Sequence, residues 1–350
     1  MSVYHDMNID IGEHARQLHE SAIVIDGHSD ILKAVTDGTV RLGERTVVNE
    51  VTTRNVYGHY DLPRWLEGGT TAQVCALYID KHWLHAALQR GLDMVADAYE
   101  EIAQNEQLVL ATTVEDIRRA KEAGKVAIIL SFEGADPLGG NLKYMRIFYQ
   151  LGVRMISLTH ARRNYFSGGV ERGMDELAGL SNLGMDAIRM CDELGIVVDM
   201  RHLDARAINQ ILEISQNPVI MSHINARQAF PHDPDDAPHH PFSADKGVDR
   251  RRMMQRIASS GGMICIIFWK QGDIHGIVDD IEYVVNEVGP EYVGLGTDLY
   301  GFDHAPKGAE DVSKFPYITE LLVRRGFSDE QIYGILGQNM MRVFETVWRS

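Results

Sequence analysis

Histidine and acidic residues follow short apolar runs at seven positions of the sequence, where they could bind metal ions or transfer protons. The seven are His28, Asp30, Glu133, His160, His202, His223 and Asp298. Imidazole nitrogens and carboxylate oxygens bind divalent cations, and the same groups act as general acids and bases. Because they recur at one position relative to the apolar runs, they indicate a metal-dependent active site.

His28 and Asp30 follow the run Ala22 to Asp26 and are separated by one residue. At the frayed end of a strand this spacing directs both side chains to the same side, so one cation can contact both. The alternative is a loop histidine beside an aspartate that caps a helix. The apolar strand before the pair strengthens the metal interpretation and leaves the alternative open.

Glu133 directly follows the run Ile128 to Phe132. A carboxylate there is costly to bury unless it meets a cation, and its two oxygens can bridge two metal ions. The alternative is an ion pair with an arginine such as Arg154 or Arg162. Taken together with the other strand ends, the position favours a metal ligand.

His202 and His223 end two consecutive runs, Ile196 to Arg201 and Pro218 to Ser222. Neighbouring parallel strands lie about 5 Å apart, so imidazoles at equivalent ends can share one divalent ion. Either histidine alone could equally be a core residue. As a pair at equivalent strand ends, they favour metal binding.

Asp298 and His160 end two further runs, Val293 to Thr297 and Ile156 to Thr159. A carboxylate near a metal-bound water can accept its proton and later pass it to the leaving amine. An imidazole that does not bind metal can instead donate to a developing oxyanion. The alternatives are an aspartate that caps the next helix and a structural histidine.

Eight apolar, β-branched runs alternate with segments of helical periodicity, which is typical of parallel strands buried on both faces. The predicted strands are Ala22–Asp26, Thr71–Tyr78, Val126–Phe132, Met155–Thr159, Ile196–Met200, Val219–Ser222, Met263–Phe268 and Tyr292–Gly296. The predicted helices are His82–Gln104, Val114–Ala123, Leu142–Leu151, Asn182–Leu194, Asp204–Ile214, Arg250–Ser260 and Ile277–Val288. Eight alternations favour a (β/α)8 TIM-type barrel over an open doubly wound sheet, and the strand ends of such a barrel meet at one face.

The chain of 350 residues is expected to form a single barrel domain over residues 1–350, since this architecture uses that length for one core. Long segments at about residues 32–63 and 229–248 are expected to form loops over the active-site face. Thr113 and Ser328, each followed by early acidic residues, are expected to begin helices.

Composition and charge exclude several classes of protein. A net charge of −16 argues against nucleic acid as a partner, because it repels phosphate backbones. The three cysteines form no CxxC pair, which fits a reducing cytoplasm, and the first 25 residues lack an apolar run of signal or membrane length. The GxSxG, GxxxxGK[ST] and HExxH motifs are absent. We therefore expect a cytoplasmic enzyme with a small-molecule substrate and no membrane partner.

Several sequence motifs follow one another in a fixed order along nearly the whole chain. They are Val24 to Asp30, Phe132 to Gly134, Gly152 to Arg154, Leu158 to His160, Asp175 to Ser181, Leu194 to His202, Ser222-His223 and Gly294 to Asp298. In this order they resemble the membrane (renal) dipeptidases, which are zinc peptidases of the amidohydrolase superfamily.

The resemblance implies two divalent metal ions, with zinc as the expected ion. His28 and Asp30 would hold one ion, His202 and His223 would hold the other, and Glu133 would bridge them. A hydroxide between the metals would attack the scissile carbonyl. The metal-ligand set of the family is thus complete in this sequence.

The same resemblance implies roles for Asp298 and His160, and a substrate. Asp298 would handle the proton and His160 would steady the tetrahedral oxyanion. Family members cleave dipeptides, often with a D-residue at the C-terminal position, and some open β-lactams. The resemblance also implies a homodimer.

Two segments depart from the family pattern. Family members usually carry an arginine shortly before a Pro-Asp-Asp, where it clamps the substrate carboxylate, but Phe230 to Asp236 contains none. Arg227 could substitute, although bidentate pairing depends on geometry. The strand that ends in Phe268-Trp269 also differs, which predicts an altered pocket. Hydrolysis of a non-peptide amide, lactam or lactone is therefore one alternative to dipeptide cleavage, and an inactive ligand-binding barrel is another.

Overall fold

The computed structural model describes residues 9–46, 58–170, 178–227, 250–302 and 305–349. Within these residues, nine parallel strands form one sheet. They are β1 (Ile25–Asp26), β2 (Ala72–Tyr78), β3 (Leu108–Leu110), β4 (Val126–Glu133), β5 (Val153–Ser157), β6 (Val197–Asp199), β7 (Val219–Ile224), β8 (Met263–Ile266) and β9 (Val293–Leu295). Eight of them close into a barrel, because β1 pairs with β9 and β2 pairs with β4.

Helices connect the strands and surround the barrel. They are α1 (Glu13–Ser21), α2 (Ile31–Thr36), α3 (Leu62–Glu67), α4 (Ala87–Gln104), α5 (Val114–Glu122), α6 (Lys143–Gln150), α7 (Asn182–Leu194), α8 (Ala205–Ile214), α9 (Arg250–Ser259), α10 (Ile274–Val288), α11 (Phe315–Arg324), α12 (Asp329–Tyr333) and α13 (Asn339–Val347). Among the described helices, none combines the length and apolarity needed to cross a bilayer.

The (β/α)8 barrel predicted from the sequence is confirmed, and each of the eight predicted strands contributes to its wall. The strand β3 was not predicted. It pairs with Val126–Ile128, the first half of β4, whereas β5 pairs with residues 130–133 of the same strand. The segment predicted as a long loop at 32–63 is helical at its start, where residues 32–36 belong to α2. Its residues 47–57 lie outside the described chain, as does the predicted loop at 229–248.

Local sequence explains where several helices begin. Thr113 begins α5 with a capping box, in which its hydroxyl accepts from the backbone of Asp116 and the Asp116 carboxylate accepts from the backbone of Thr113. Ser328 and Gln331 make the same arrangement at α12. The predicted helix 82–104 instead divides into a short 3₁₀ helix, Lys81–Ala86, and α4.

Alternate residues of each strand face two different cores. Along β4, Val126, Ile128 and Leu130 pack outward against helices, whereas Ala127 and Ile129 fill the barrel interior. Residues of α13 pack in the interior cluster beside residues from the beginnings of the strands. This helix therefore closes the amino-terminal end of the barrel, and the carboxyl ends of the strands remain open for a site.

Candidate metal centre

All seven residues singled out in the sequence lie together at the carboxyl-terminal mouth of the barrel, and we call this set the acid–imidazole cluster. Its members are His28, Asp30, Glu133, His160, His202, His223 and Asp298. Glu133 is the last residue of β4, and His223 lies within β7. His160, His202 and Asp298 each lie three residues after the end of a strand, following β5, β6 and β9 respectively. Six strand ends thus contribute side chains to one place.

One carboxylate oxygen of Glu133 is surrounded by imidazoles. Its Oε1 lies 2.9 Å from Nε2 of His202, 3.5 Å from that of His28 and 3.7 Å from that of His223. The Nε2 atom of His160 is 3.9 Å away. Four neutral or cationic rings from four strands therefore converge on the acid that was predicted to bridge two ions.

Three overlapping sets of ligand atoms in the cluster are compact enough to hold cations. In each set the atoms lie within 4.8 Å of one another, and the sets are His28–His223–Asp298, Glu133–His160–His202 and His28–Asp30–Glu133. A carboxylate oxygen of Asp298 lies 3.7 Å from Nε2 of His28. Because every set combines nitrogen and oxygen donors, the cluster suits zinc or a similar divalent ion.

Buried polar atoms of the cluster test whether metal ions fit this site. Within the described residues, Nε2 of His28, Oδ1 of Asp30 and Oε2 of Glu133 are buried and make no hydrogen bond. Such atoms are costly to leave unpaired, and each is a good metal donor. The residues present therefore fit divalent cations.

The pKa values of the cluster residues also indicate that the site suits divalent cations. Burial, reinforced by the carboxylates of Asp30 and Asp298, raises the pKa of Glu133 well above its usual range. Burial likewise raises the pKa of Asp30 to about 6 and lowers that of His28 to about 3. The pKa of His223 is well below its ordinary value for the same reason. The imidazoles of His28 and His223 are thus held neutral, and the crowded carboxylates require a positive charge to stay ionised together.

The non-metal alternatives for Asp30 and Glu133 find no support in the geometry. Asp30 stands at the start of α2, but its side chain makes no capping hydrogen bond. Arg154 donates to backbone carbonyls of Thr112, Tyr149 and Val153, and none of its described ion pairs involves Glu133. The Arg162 guanidinium likewise donates to the carbonyl of Ile79.

The backbone is unusual at two of the strand ends. His202 and Asp298 have φ angles of 64° and 59°, in the left-handed region that residues other than glycine rarely adopt. Backbone strain of this kind costs on the order of 1–3 kcal/mol and is concentrated at functional sites. Gly134, at φ 98°, turns the chain directly after Glu133, where a Cβ would lie 3.2 Å from the backbone nitrogen of His160.

The carboxylate of Asp26 joins the first and last strands of the barrel next to the cluster. Its Oδ1 accepts from the backbone nitrogens of Thr297, at 2.9 Å, and His28, at 3.3 Å. Its Oδ2 accepts from the hydroxyls of Thr297, at 2.7 Å, and Tyr60, at 2.9 Å. One buried acid therefore fixes the chain leading to His28 relative to the chain leading to Asp298.

Asp199 joins β6 and β7 in the same way. Its Oδ1 accepts from the backbone nitrogens of Arg201 and Ser222, each at 3.0 Å. The hydroxyl of Ser222 lies 2.8 Å from Nδ1 of His223, which leaves Nε2 of that ring directed at the cluster. Sequence reasoning included Asp26 and Asp199 in the strands but assigned them no role; an acid at the end of an otherwise apolar run was the available signal.

A cavity of about 540 Å³ opens onto the cluster. Asp30, His160, His202 and Asp298 line it, together with Tyr78, Trp269 and Arg201. Trp269, at the strand end that departs from the family pattern, is thus among the residues that line the cavity. Arg201 was not predicted as a cavity residue.

Arg227, considered as a substitute for the missing arginine, is engaged elsewhere. Its Nη1 lies 2.8 Å from Asp279, and its Nε lies 3.2 Å from Asp280 on α10. It is not among the described residues that line the cavity. The stretch Phe230 to Asp236, which lacks the arginine that family members usually carry, lies outside the described residues.

A (β/α)8 barrel that gathers imidazoles and carboxylates at the carboxyl ends of its strands has the architecture of a metal-dependent hydrolase. The chain belongs to the membrane dipeptidase family, peptidase family M19, whose model matches residues 12–349. The family resemblance inferred from the motifs is thereby confirmed, and the protein is an enzyme of the metallopeptidase class.

Relatives of known sequence carry matching names. The chain is 29% identical to Dipeptidase tcpJ of Claviceps purpurea over 313 residues, which are 84% of this chain and 71% of that protein. It is 28% identical to the uncharacterized dipeptidase C965.12 of Schizosaccharomyces pombe, with 94% and 82% of the two chains covered.

Solved structures share the fold. An amidohydrolase from Pseudomonas aeruginosa superimposes with a TM-score of 0.74 at 23% identity, covering 95% of this chain and 99% of the other. A metallopeptidase from Rhodobacter sphaeroides, liganded with a phosphinate mimic of the dipeptide L-Ala-D-Ala, superimposes with a TM-score of 0.78 at 21% identity. That match covers 94% of this chain and 100% of the other.

Proposed function

We propose that this protein hydrolyses dipeptides, including those with a D-residue at the C-terminal position, using two zinc ions held by the acid–imidazole cluster. The observation that carries the proposal is the convergence of four imidazoles on one oxygen of Glu133, beside buried ligand atoms that have no hydrogen-bond partner. The dipeptidase names of the relatives and the dipeptide mimic in the Rhodobacter structure support this substrate class.

Two observations support the proposed ligand sets: Asp30 lies in one compact set with His28 and Glu133, and Nε2 of His202 lies 3.1 Å from Nε2 of His223. His28 and Asp30 would hold one ion, His202 and His223 the other, and Glu133 would contact both. When bound, the two cations supply Lewis acidity, which polarises a scissile carbonyl and makes water more acidic. The chain itself supplies a His28 imidazole that burial keeps neutral, which is the state that binds a cation, and a Glu133 carboxyl whose ionised form the cations would stabilise.

Asp298 is proposed as the residue that moves the proton. Its carboxylate borders the cavity beside His28, where it can accept a proton from the attacking water and return it to the leaving amine. Its left-handed backbone holds it at this position. A carboxylate whose pKa is raised by burial can carry the proton between the two steps.

His160 is proposed to stabilise the oxyanion. The ring lines the cavity, and burial lowers its pKa to about 3, so the imidazole is neutral at pH 7. A neutral N–H donor can hydrogen-bond to the carbonyl oxygen as negative charge develops there. Contact with the ring of Tyr78, at 4.4 Å between centroids, restricts its orientation.

Metal analysis combined with a substrate panel tests the proposal. Protein treated with a chelator and then reloaded with zinc should contain two ions per chain and cleave L,L- and L,D-dipeptides, whereas the metal-free protein should be inactive. An active metal-free preparation would contradict the proposal. Faster turnover of a lactam or neutral amide than of any dipeptide would favour the second candidate function, which the lack of an arginine in Phe230 to Asp236 motivates.

A further inference from the structure

A buried guanidinium lines the cavity without an ion-pair partner. Arg201 is 9% exposed, and its Nε makes no hydrogen bond to any described residue. The carboxylates of Asp298, Glu133 and Asp199 are near enough to favour its charge, but none of them forms an ion pair with it in the described chain. A buried charge without a direct partner is costly, so the arrangement suits an anionic group that enters from the cavity.

The backbone at the end of β6 explains how this arginine reaches the cavity. Consecutive residues of a regular strand point to opposite faces, so Arg201 and His202 should not share one side. The left-handed conformation of His202, with φ 64°, ends this alternation, and both side chains line the same cavity. The hydrogen bond from the Arg201 nitrogen to Asp199 holds the arginine backbone in place.

Other cations around the cavity are less suited to bind a substrate anion. The ammonium of Lys33 lies 2.6 Å from a carboxylate oxygen of Asp37, to which it is already paired. Lys81 is exposed at the rim, where water screens its charge. Of the described cavity cations, Arg201 alone is both buried and without an ion-pair partner, and its planar guanidinium can make two parallel hydrogen bonds to one carboxylate.

We propose that Arg201 binds the free carboxylate of the substrate and makes this protein selective for short peptides that end in an acid. This proposal rests on the proposed function, because it concerns the same cavity. It assigns the carboxylate contact to the residue before His202 and requires no arginine from residues 230–236. Removing a hydrogen bond to a charged group should weaken binding about 10- to 100-fold.

The test compares each ligand with its neutral counterpart. Zinc-loaded wild type, Arg201→Met and Arg201→Lys are titrated calorimetrically with a phosphinate dipeptide mimic that ends in a carboxylate and with the same mimic ending in an amide. Hydrolysis of a matching dipeptide and dipeptide amide is measured alongside, and zinc content is determined for every variant. Lys81→Met, which removes an exposed positive charge from the rim, is the matched control for long-range electrostatic attraction of the anionic ligand to the cavity.

The wild type and Lys81→Met should prefer the acid mimic to the amide by about 10- to 100-fold, Arg201→Lys should keep part of this preference, and Arg201→Met should lose it. The amide should bind all four proteins alike. Equal weakening of acid and amide, retention of the preference in Arg201→Met, or a wild type without any preference would overturn the role of Arg201. A wild type that binds the acid mimic selectively but hydrolyses neither dipeptide would instead overturn the proposed function.

Discussion

At the scale of single residues, the proposed mechanism assigns metal binding and proton transfer to different acids of the cluster. Asp298 borders the cavity and contacts the cluster through His28, at 3.7 Å, while Glu133 lies at the centre of the imidazoles. The two acids therefore have different surroundings, although burial raises the pKa of both. Acids in different surroundings can divide metal binding and proton transfer between them.

Asp298→Asn should separate these two tasks. The amide keeps the size and one oxygen of the carboxylate but cannot accept a proton, so we expect kcat to fall by about 100- to 10,000-fold while zinc stays bound. Steady-state kinetics and metal analysis of the same preparation measure both quantities. Unchanged turnover would contradict the assigned role, and loss of zinc together with activity would make Asp298 a ligand.

At the scale of elements, short hydrogen-bonded links between neighbouring strand ends position the cluster. Asp26 is the last residue of β1 and Asp199 the last residue of β6, and each accepts from its own chain two residues later and from the adjacent strand. Each link fixes the residue just before a cluster member, Thr297 or Ser222. The spacing of the proposed metal ligands therefore depends on the side chains of Asp26 and Asp199, which are not proposed as ligands themselves.

Substitution of Asp199 should reveal this positioning. Both backbone donors use one oxygen, Oδ1, so Asp199→Asn can keep both hydrogen bonds, whereas Asp199→Ala loses them and leaves two buried N–H groups unpaired. We expect zinc affinity to fall about 10- to 100-fold in Asp199→Ala and much less in Asp199→Asn. Competition with a chromophoric chelator measures the affinity. Equal affinities in the two variants would rule out positioning through these bonds.

One buried imidazole links α1 to α11 and to the residue that follows α3. His19 lies 2.7 Å from the hydroxyl of Thr319 on α11 and 2.8 Å from the carbonyl of Gly68. Burial lowers its pKa to about 4, so the folded state keeps the ring neutral where the unfolded chain, with a pKa near 6.5, takes up a proton. Its contribution to stability is therefore complete above about pH 6.5 and is lost as the pH falls towards 4.

Replacing the ring by a neutral side chain should remove this pH dependence. Between pH 7 and pH 5 we expect the wild type to lose about 2 kcal/mol more of its free energy of unfolding than His19→Gln does. Urea titrations of the metal-free proteins at both pH values give the two differences without any contribution from bound zinc. Parallel losses in the two proteins would show that His19 does not titrate on unfolding.

The strands of the barrel wall were easier to predict from the sequence than the short elements outside the wall, such as β3 and α2. Long apolar runs such as the one in β4 are buried on both faces, and their composition alone identifies them. Strand β3 has three residues and helix α2 six, too few for a periodicity to be read, and both form through contacts with neighbouring elements. The cluster was predictable because its residue types and strand-end positions follow from the chemistry. Arg201 was not, because the left-handed turn at His202 that places it in the cavity has no local sequence signal.

At the scale of the whole molecule, metal binding should couple to stability. Cations that bind only the folded chain stabilise it by an amount that grows with the logarithm of their concentration relative to Kd, about 2.7 kcal/mol at a concentration of 100 Kd. We expect chelation to lower the melting temperature by several degrees and added zinc to restore it, as measured by calorimetry. His28→Ala is the control, since it removes a buried cluster member and should reduce the response to zinc. A zinc-independent melting temperature in the wild type would show that no such coupling exists.

The hydrogen bonds by which Asp26 joins the first and last strands have a consequence for the synthesis of the protein. The carboxylate of Asp26 accepts from Thr297, a residue 271 positions further along the chain, and backbone contact between His28 and Asp298 follows from the same closure. A growing polypeptide can form neither contact until β9 has left the ribosome. Chains terminated before β9 would carry most of the histidines without the closed ring that gathers them, so an assembled cluster marks a chain that has been translated past Asp298.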